Sequence, residues 1–191
     1  MIAYQKEKIE NAICFFANEH KKHTRYPLFQ TMLYKYISYL EFNSIEKTGR
    51  PVFDLTYIAW KNGPVPKEIY DKRNNYNTSL FVFIKNSEGN IEIKPKEKPN
   101  LDYFSKYEIS EMNRLIEIFA EINVRAKHMS EASHSDIKAW KLTWMEKPNT
   151  IIDKSLTFGK GLFNKKDGQL TFAEESFLTY MSIQNNLNEC R

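Results

Sequence analysis

Apolar side chains recur every three or four positions in two stretches of the first fifty residues, which is the spacing of amphipathic helices. The first helix is predicted from Tyr4 to about His23, and its apolar positions are Ile9, Ala12, Ile13, Phe16 and Ala17. The second should begin at Pro27, because proline suits the first helical position, and should end at Gly49-Arg50-Pro51. Its predicted inner positions are Phe29, Leu33, Tyr36, Ile37 and Leu40.

Between residues 54 and 99 the pattern becomes that of short extended segments. Residues 54–60 are aromatic and fit a strand or a helix entry, while residues 62–66 predict a turn whose second proline opens a short helix. Residues 80–84 and 91–93 flank a turn-rich segment and predict a β-hairpin near 80–94. The lysines that follow alternate with Pro95 and Pro99, so we expect an edge there and not a central strand.

The second half of the chain again favours helices. Ser105 and Glu108 form a predicted capping box, and Thr171 with Glu174 forms another at the start of a last helix. Shorter helices are predicted near 126–133 and 137–144, with a loop or small hairpin from 148 to 168. The expected fold is therefore mainly α with a small antiparallel β-hairpin (α+β), in a single compact helical domain.

Composition and charge narrow the function classes. Hydrophobic residues make up 41% of the chain and aromatic residues 14%, which is enough to build a core. The net charge of +4 is mild and spread along the chain, whereas dedicated nucleic-acid binders usually concentrate their basic residues. No export signal or membrane span is apparent, and the two cysteines match no metal spacing. We expect a cytoplasmic protein without membrane contact.

Three patterns suggest catalytic or ligand chemistry, and each has a simpler structural explanation. Ser133, His134 and Asp136 are the residue types of a hydrolase triad, but neighbours this close in sequence cannot form a relay. A metal pair of His20 and His23 lacks further ligands. The segment 159–161 does not have the spacing of a phosphate-binding loop. We expect no enzyme activity, no metal and no cofactor.

A nucleic-acid-binding regulator is the alternative that the basic residues support. Lysines near exposed aromatic residues can follow a phosphate backbone while the rings stack on bases. Acidic residues at 92, 97 and 102 interrupt this positive region, so a solvated hairpin edge explains it better. The candidate lysines are Lys94, Lys96, Lys98, Lys160, Lys165 and Lys166.

The segment 57–70 is explained less well by a purely structural role. It combines Trp60, a Gly63-Pro64 turn and Tyr70 with the start of a helix. Such a unit is either a rigid corner of the core or an aromatic anchor for a partner protein.

This segment, Tyr-Ile-Ala-Trp-Lys-Asn-Gly-Pro-Val-Pro-Lys-Glu-Ile-Tyr, closely resembles the signature of the Panacea (SocA-like) antitoxin domain. Three further pieces follow the family's order: residues 35–41, Gly49-Arg50-Pro51, and Ser133-His134 through Ala139-Trp140-Lys141. The resemblance covers about residues 5–145. Ser38 and Ser44 stand where the family often has Tyr and His, and Asp54-Leu55 stands where it usually has Gly-Asp.

The resemblance implies a bacterial or phage protein that acts as the antitoxin of a toxin–antitoxin pair. The alternative that it implies is a phage-associated interaction protein of unknown partner. Its partner would be a toxin, often encoded by a neighbouring gene, which it neutralises by occlusion or by delivery to a protease. Residues 1–145 would form the family domain, with 146–191 as a loop and helix packed on it. The partner-binding candidates in the family-specific region are Lys35, Trp60, Gly63, Pro64, Tyr70, His134 and Trp140.

Overall fold

Helix α2 (Gln30–Thr48) lies at the centre of the fold, in a computed structural model that describes residues 2–121, 136–166 and 168–189. Every residue from Met32 to Phe42 is buried, so this helix packs on all sides and not only on the predicted inner face. The other described helices are α1 (Gln5–Thr24), α3 (Lys67–Lys72), α4 (Lys106–Phe119), α5 (Lys138–Glu146) and α6 (Phe172–Glu189).

Five short strands complete the described part of the chain. They form a three-stranded antiparallel sheet in the order β1-β5-β4 and a separate β2-β3 pair. The prediction of a mainly helical fold with a small antiparallel sheet is confirmed. The strands are β1 (Leu28–Phe29), β2 (Tyr57–Trp60), β3 (Gly63–Pro66), β4 (Phe81–Lys85) and β5 (Ile91–Pro95).

The predicted start of α2 at Pro27 is wrong. The chain leaves α1 through Arg25 in the left-handed conformation (φ 66°), and the next residues are extended. Strand β1 pairs with β5, with Leu28 opposite Ile93, so the helix begins only at Gln30. The fixed φ of proline suits an extended segment as well as a helix start, so Pro27 alone did not distinguish the two.

The β-hairpin prediction is confirmed, but its second strand is not at an edge. Strands β4 and β5 pair with Phe83 opposite Ile93, and the Asn86 side chain holds the turn between them. Strand β5 lies in the middle of its sheet because β1 covers it. Strand β1 is only two residues long and ends opposite Glu92 and Ile93, so Pro95 faces no third strand.

The predicted turn at 62–66 is a strand for most of its length. Trp60 pairs with Gly63, and the turn comprises only Lys61 and Asn62. The backbone of residues 149–152 lines the other side of β2, where Ala59 N donates to Thr150 O at 2.9 Å. Pro66 opens α3 as predicted. The β2-β3 hairpin therefore lies between α2 and residues 149–152.

The last part of the chain contains two 3₁₀ helices, Lys154–Phe158 and Leu162–Asn164, followed by α6. Both predicted capping boxes are present: Ser105 with Glu108, and Thr171 with Glu174. The predicted helix at 126–133 lies outside the described residues, and α5 corresponds to the one predicted at 137–144.

Helix α6 lies directly against the end of α2. Gly49 closes α2 in the left-handed conformation (φ 70°). A Cβ atom at this glycine would overlap the Ala173 carbonyl oxygen and lie 2.6 Å from Phe177 N. Arg50 Nε donates to Ser176 Oγ at 2.9 Å beside this contact. The glycine is therefore required both by its backbone conformation and by the approach of α6.

We expect Gly49→Ala to lower the free energy of unfolding by about 2–4 kcal/mol, because it adds overpacking to a strained backbone conformation. Urea unfolding measures this change. Gly161→Ala is the matched control, since Gly161 has a negative φ and no atom within 4 Å of an added Cβ. Equal stability of the two variants would contradict the observed docking of α6.

Candidate partner-binding site

Four buried polar residues on α2 follow one another at intervals of three positions and all reach the backbone of residues 50–64. We call them the α2 polar ladder: Lys35, Ser38, Glu41 and Ser44. Buried polar groups of this kind are tolerated when they have hydrogen-bond partners. Each rung finds such a partner in a segment that follows α2 in the chain.

The two ends of the ladder hold different parts of that segment. Lys35 Nζ donates to Asn62 O in the hairpin turn, and Ser38 Oγ donates to Pro64 O at 3.3 Å. At the other end, Ser44 Oγ donates to Arg50 O at 2.8 Å. Ser44 therefore binds the backbone of the Gly-Arg-Pro turn, and Ser38 binds the backbone of the hairpin.

Glu41 is the anionic rung of the ladder and is completely buried. Its Oε2 accepts hydrogen bonds from Val52 N at 2.9 Å and from Phe53 N at 2.8 Å. Its Oε1 lies 3.2 Å from Lys154 Nζ as an ion pair, and that lysine donates to Asp54 Oδ1 at 2.8 Å. Burial lowers the pKa of Lys154, but the two carboxylates outweigh burial and raise it. The first 3₁₀ helix is thereby attached to α2.

The hairpin held by this ladder forms one wall of an open pocket of about 360 Å³. We call it the Trp60–Tyr70 pocket, after the two rings that meet edge to face with centroids 4.7 Å apart. Tyr34 and Lys35 approach from α2, and Pro64 lines the hairpin side. Aromatic, aliphatic and polar side chains line this pocket together, and such a combination can hold a ligand or a partner's side chain.

The structure places most of the predicted partner-binding residues together. Lys35, Trp60, Pro64 and Tyr70 line the pocket, and Gly63 begins β3 with a φ of 114°. Trp140 lies behind the hairpin, where its Nε1 donates to Trp60 O at 2.9 Å. His134 lies outside the described residues.

Two further pocket residues were not among the predicted ones. Tyr34 and Gln30 also line the pocket, and each has a buried polar atom without a hydrogen-bond partner. The signal for Tyr34 was present in the sequence, since a large aromatic residue lies off the predicted inner face of α2. Nothing in the sequence distinguishes Gln30 from a solvent-exposed glutamine.

A pocket of about 470 Å³ lies elsewhere, beside α5. Ile151 and Phe163 line it and are largely exposed, and no predicted partner-binding residue does so. Of the lysines proposed for nucleic acid, only Lys160 lines it, and Lys160 is paired with Glu146 at 2.6 Å. Its size alone does not connect this pocket to the family-specific residues.

The six candidate nucleic-acid lysines lie in two groups on different elements. Lys94 is in β5, and the two lysines that follow lie just beyond it, where Lys96 Nζ donates to Asn77 Oδ1. The other three follow α5, where Lys165 pairs with Glu174 at 2.5 Å. The second group lies beside the second 3₁₀ helix, Leu162–Asn164, so the two groups do not share an element.

The other polar residues considered from the sequence have structural partners. Asp136 accepts a hydrogen bond from Tyr39 OH at 3.0 Å. His20 Nδ1 lies 3.1 Å from Tyr36 OH, and burial, followed by the nearby His23, lowers the His20 pKa to about 4. Burial raises the pKa of the Cys14 thiol to about 11. Within the described ranges, no group of three or more His, Cys, Asp or Glu could hold a metal ion.

Burial lowers the pKa of Lys35 from 10.5 to about 8. Between these values the unfolded chain binds more protons at Lys35 than the folded protein does, so the contribution of Lys35 to the free energy of unfolding should rise with pH. We expect the parent protein to gain roughly 3 kcal/mol relative to Lys35→Met over this range, because the other titrating groups are common to both proteins. Urea unfolding of parent and variant from pH 8 to pH 10.5 measures it. The curve of the exposed Lys61→Met variant should run parallel to that of the parent; a Lys35→Met curve that also runs parallel to it would contradict the shifted pKa.

No helix within the described ranges is long and apolar enough to cross a membrane.

Comparison with known proteins places these features in a family. No curated protein and no solved structure matches the chain. The family model described as "Antitoxin SocA-like, Panacea domain" matches residues 33–141, which include most of α2, the β2-β3 hairpin and the start of α5. Because this match covers more than half of the chain, the protein belongs to the SocA-like Panacea antitoxin family.

Proposed function

We propose that this protein is an antitoxin that neutralises a partner toxin by direct contact through the face around the Trp60–Tyr70 pocket. The observation that carries the proposal is the convergence of four family-specific residues, Lys35, Trp60, Pro64 and Tyr70, on one open pocket. Family membership supports the antitoxin role, and the pocket supports the location of the contact.

The geometry of the hairpin suits a protein-binding surface. The ladder and Trp140 hold its backbone, while the Trp60 and Tyr70 side chains remain partly exposed. Arg73 lies over the Tyr70 ring at 3.7 Å from its centroid. Tryptophan, tyrosine and arginine are the residues that most often dominate binding energy in protein interfaces. A rigid backbone also reduces the entropy lost on binding.

The proposed mechanism is binding without catalysis. Contact at this face either covers the active surface of the toxin or presents the toxin to a protease, and both require the same complex. We further propose that the toxin is encoded by a neighbouring gene and that both proteins act in the cytoplasm. Residues 1–145 would form the binding domain, with 146–191 as a supporting extension.

Co-expression with the product of the neighbouring gene tests the proposal. We expect the parent protein to restore growth and to co-elute with the toxin. Trp60→Ala should weaken the complex about 30-fold or more, as expected for an interface residue worth at least 2 kcal/mol. Its melting temperature should change little, because the backbone contacts of Trp60 remain.

Trp144→Ala is the matched control, since Trp144 is a partly buried tryptophan that stacks on Trp140 outside the pocket. It should still rescue growth. Loss of rescue by both variants, or retention by both, would contradict a contact at Trp60. A harmless neighbour would remove the antitoxin role, and nucleic-acid binding at low salt would then be the next property to measure.

A further inference from the structure

Two residues that line the Trp60–Tyr70 pocket each carry a polar atom that binds nothing within the described part of the chain. These atoms are the Tyr34 hydroxyl and Gln30 Oε1, and both are buried. Tyr34 as a whole is only 6% exposed, although it is part of the lining of an open pocket. A buried hydroxyl without a partner costs about 1–3 kcal/mol. A group that entered the pocket and accepted a hydrogen bond from this hydroxyl would recover that cost.

The charges around the pocket favour an anionic group. Lys35 and Lys61 line it, and none of its described lining residues is an aspartate or glutamate. Arg73 adds a third positive charge beside Tyr70. The negative charge of Asp71 also interacts electrostatically with the Tyr34 hydroxyl, but the Asp71 carboxylate is paired with Lys67 Nζ at 2.5 Å. The net field at the pocket therefore attracts negative charge.

The amide of Gln30 is compatible with an anion. The oxygen and nitrogen of a glutamine amide occupy nearly the same positions after a half-turn of the group. This half-turn would replace the unpartnered oxygen of Gln30, a residue that lines the pocket, with an N–H donor. Tyr34 and Gln30 would then offer two donors to one acceptor group.

The walls of the pocket define the rest of the ligand. Trp60, Pro64 and Val65 add apolar surface to the lining. This surface suits a short hydrocarbon stem, and the donors of Tyr34 and Gln30 suit a charged oxygen group. Aspartate and glutamate side chains have this combination of stem and carboxylate.

We propose that the Trp60–Tyr70 pocket binds the side-chain carboxylate of an aspartate or glutamate presented by a partner protein. The Tyr34 hydroxyl donates to the carboxylate, and the methylene groups pack against Trp60 and Pro64. The inference depends on the proposed function only for the identity of that partner as a toxin. The chemistry of the pocket can be measured on the isolated protein.

The probes are N-acetylglutamate N-methylamide and the corresponding glutamine compound, which differ in one carboxylate. Binding is followed by the NMR signal of the Trp60 indole N–H. We expect the glutamate probe to bind at least about fivefold more tightly, and this advantage to shrink with added salt. Tyr34→Phe should weaken glutamate binding about tenfold or more, the usual value of a hydrogen bond to a charged group.

Tyr57→Phe is the matched control. Tyr57 also has a buried hydroxyl without a hydrogen-bond partner, but it does not line the pocket. Neither substitution removes an internal hydrogen bond, so both variants should fold, and only Tyr34→Phe should lose binding. Equal binding of the two probes, or unchanged binding by Tyr34→Phe, would overturn the proposal. Tighter binding of a peptide's terminal carboxylate would overturn the choice of a side chain.

The two proposals fail separately. Rescue of growth in the co-expression assay without a preference for the glutamate probe would leave the antitoxin role and remove the carboxylate site. A preference for the glutamate probe that is lost in Tyr34→Phe, together with no rescue, would support the site and remove the toxin as its partner.

Discussion

Helix α2 is buried on every side from Met32 to Phe42, and the polar ladder that it carries depends on the backbone of residues 50–64 for its hydrogen bonds. Lys35 and Glu41 are charged side chains with almost no exposed surface, which is expensive without partners. The hairpin and the turn before it supply carbonyl oxygens to the lysine and serines and amide groups to Glu41. These contacts also hold the hairpin in place. Its two prolines have no N–H group to donate, so it can form fewer hydrogen bonds between its own strands. Helix and hairpin therefore depend on one another.

The same requirement explains why the last third of the chain belongs to the fold. Glu41 carries a negative charge into the core, and its compensating charge comes from Lys154, far along the sequence. Removing one partner from a buried ion pair usually costs about 3–5 kcal/mol, so this contact couples the first 3₁₀ helix to α2. Helix α6 then closes over Gly49, and its Phe177 covers Ile45 together with Leu162 of the second 3₁₀ helix.

Local signals in the sequence identified the elements better than their connections. Helical periodicity predicted α1 and most of α2, and the two capping boxes located the starts of α4 and α6. Periodicity did not predict strand β1 or the central position of β5, because both depend on the pairing of residues distant in the chain. The ladder was visible as polar residues three apart, yet nothing local shows that their partners are backbone atoms around 50–64. Trp60 and Tyr70 could be predicted together because they lie in one short segment of the sequence. The unpartnered hydroxyl of Tyr34 is evident only in the folded structure.

The Tyr34 hydroxyl also bears on how this protein responds to selection. A phenylalanine at this position would spare the folded chain a buried group without a partner, so stability alone favours the loss of the hydroxyl. Directed evolution for heat resistance, or a sequence designed only to fit this backbone, should therefore drift toward phenylalanine. A tyrosine that persists under such pressure would report a fitness benefit that is invisible to any assay of folding.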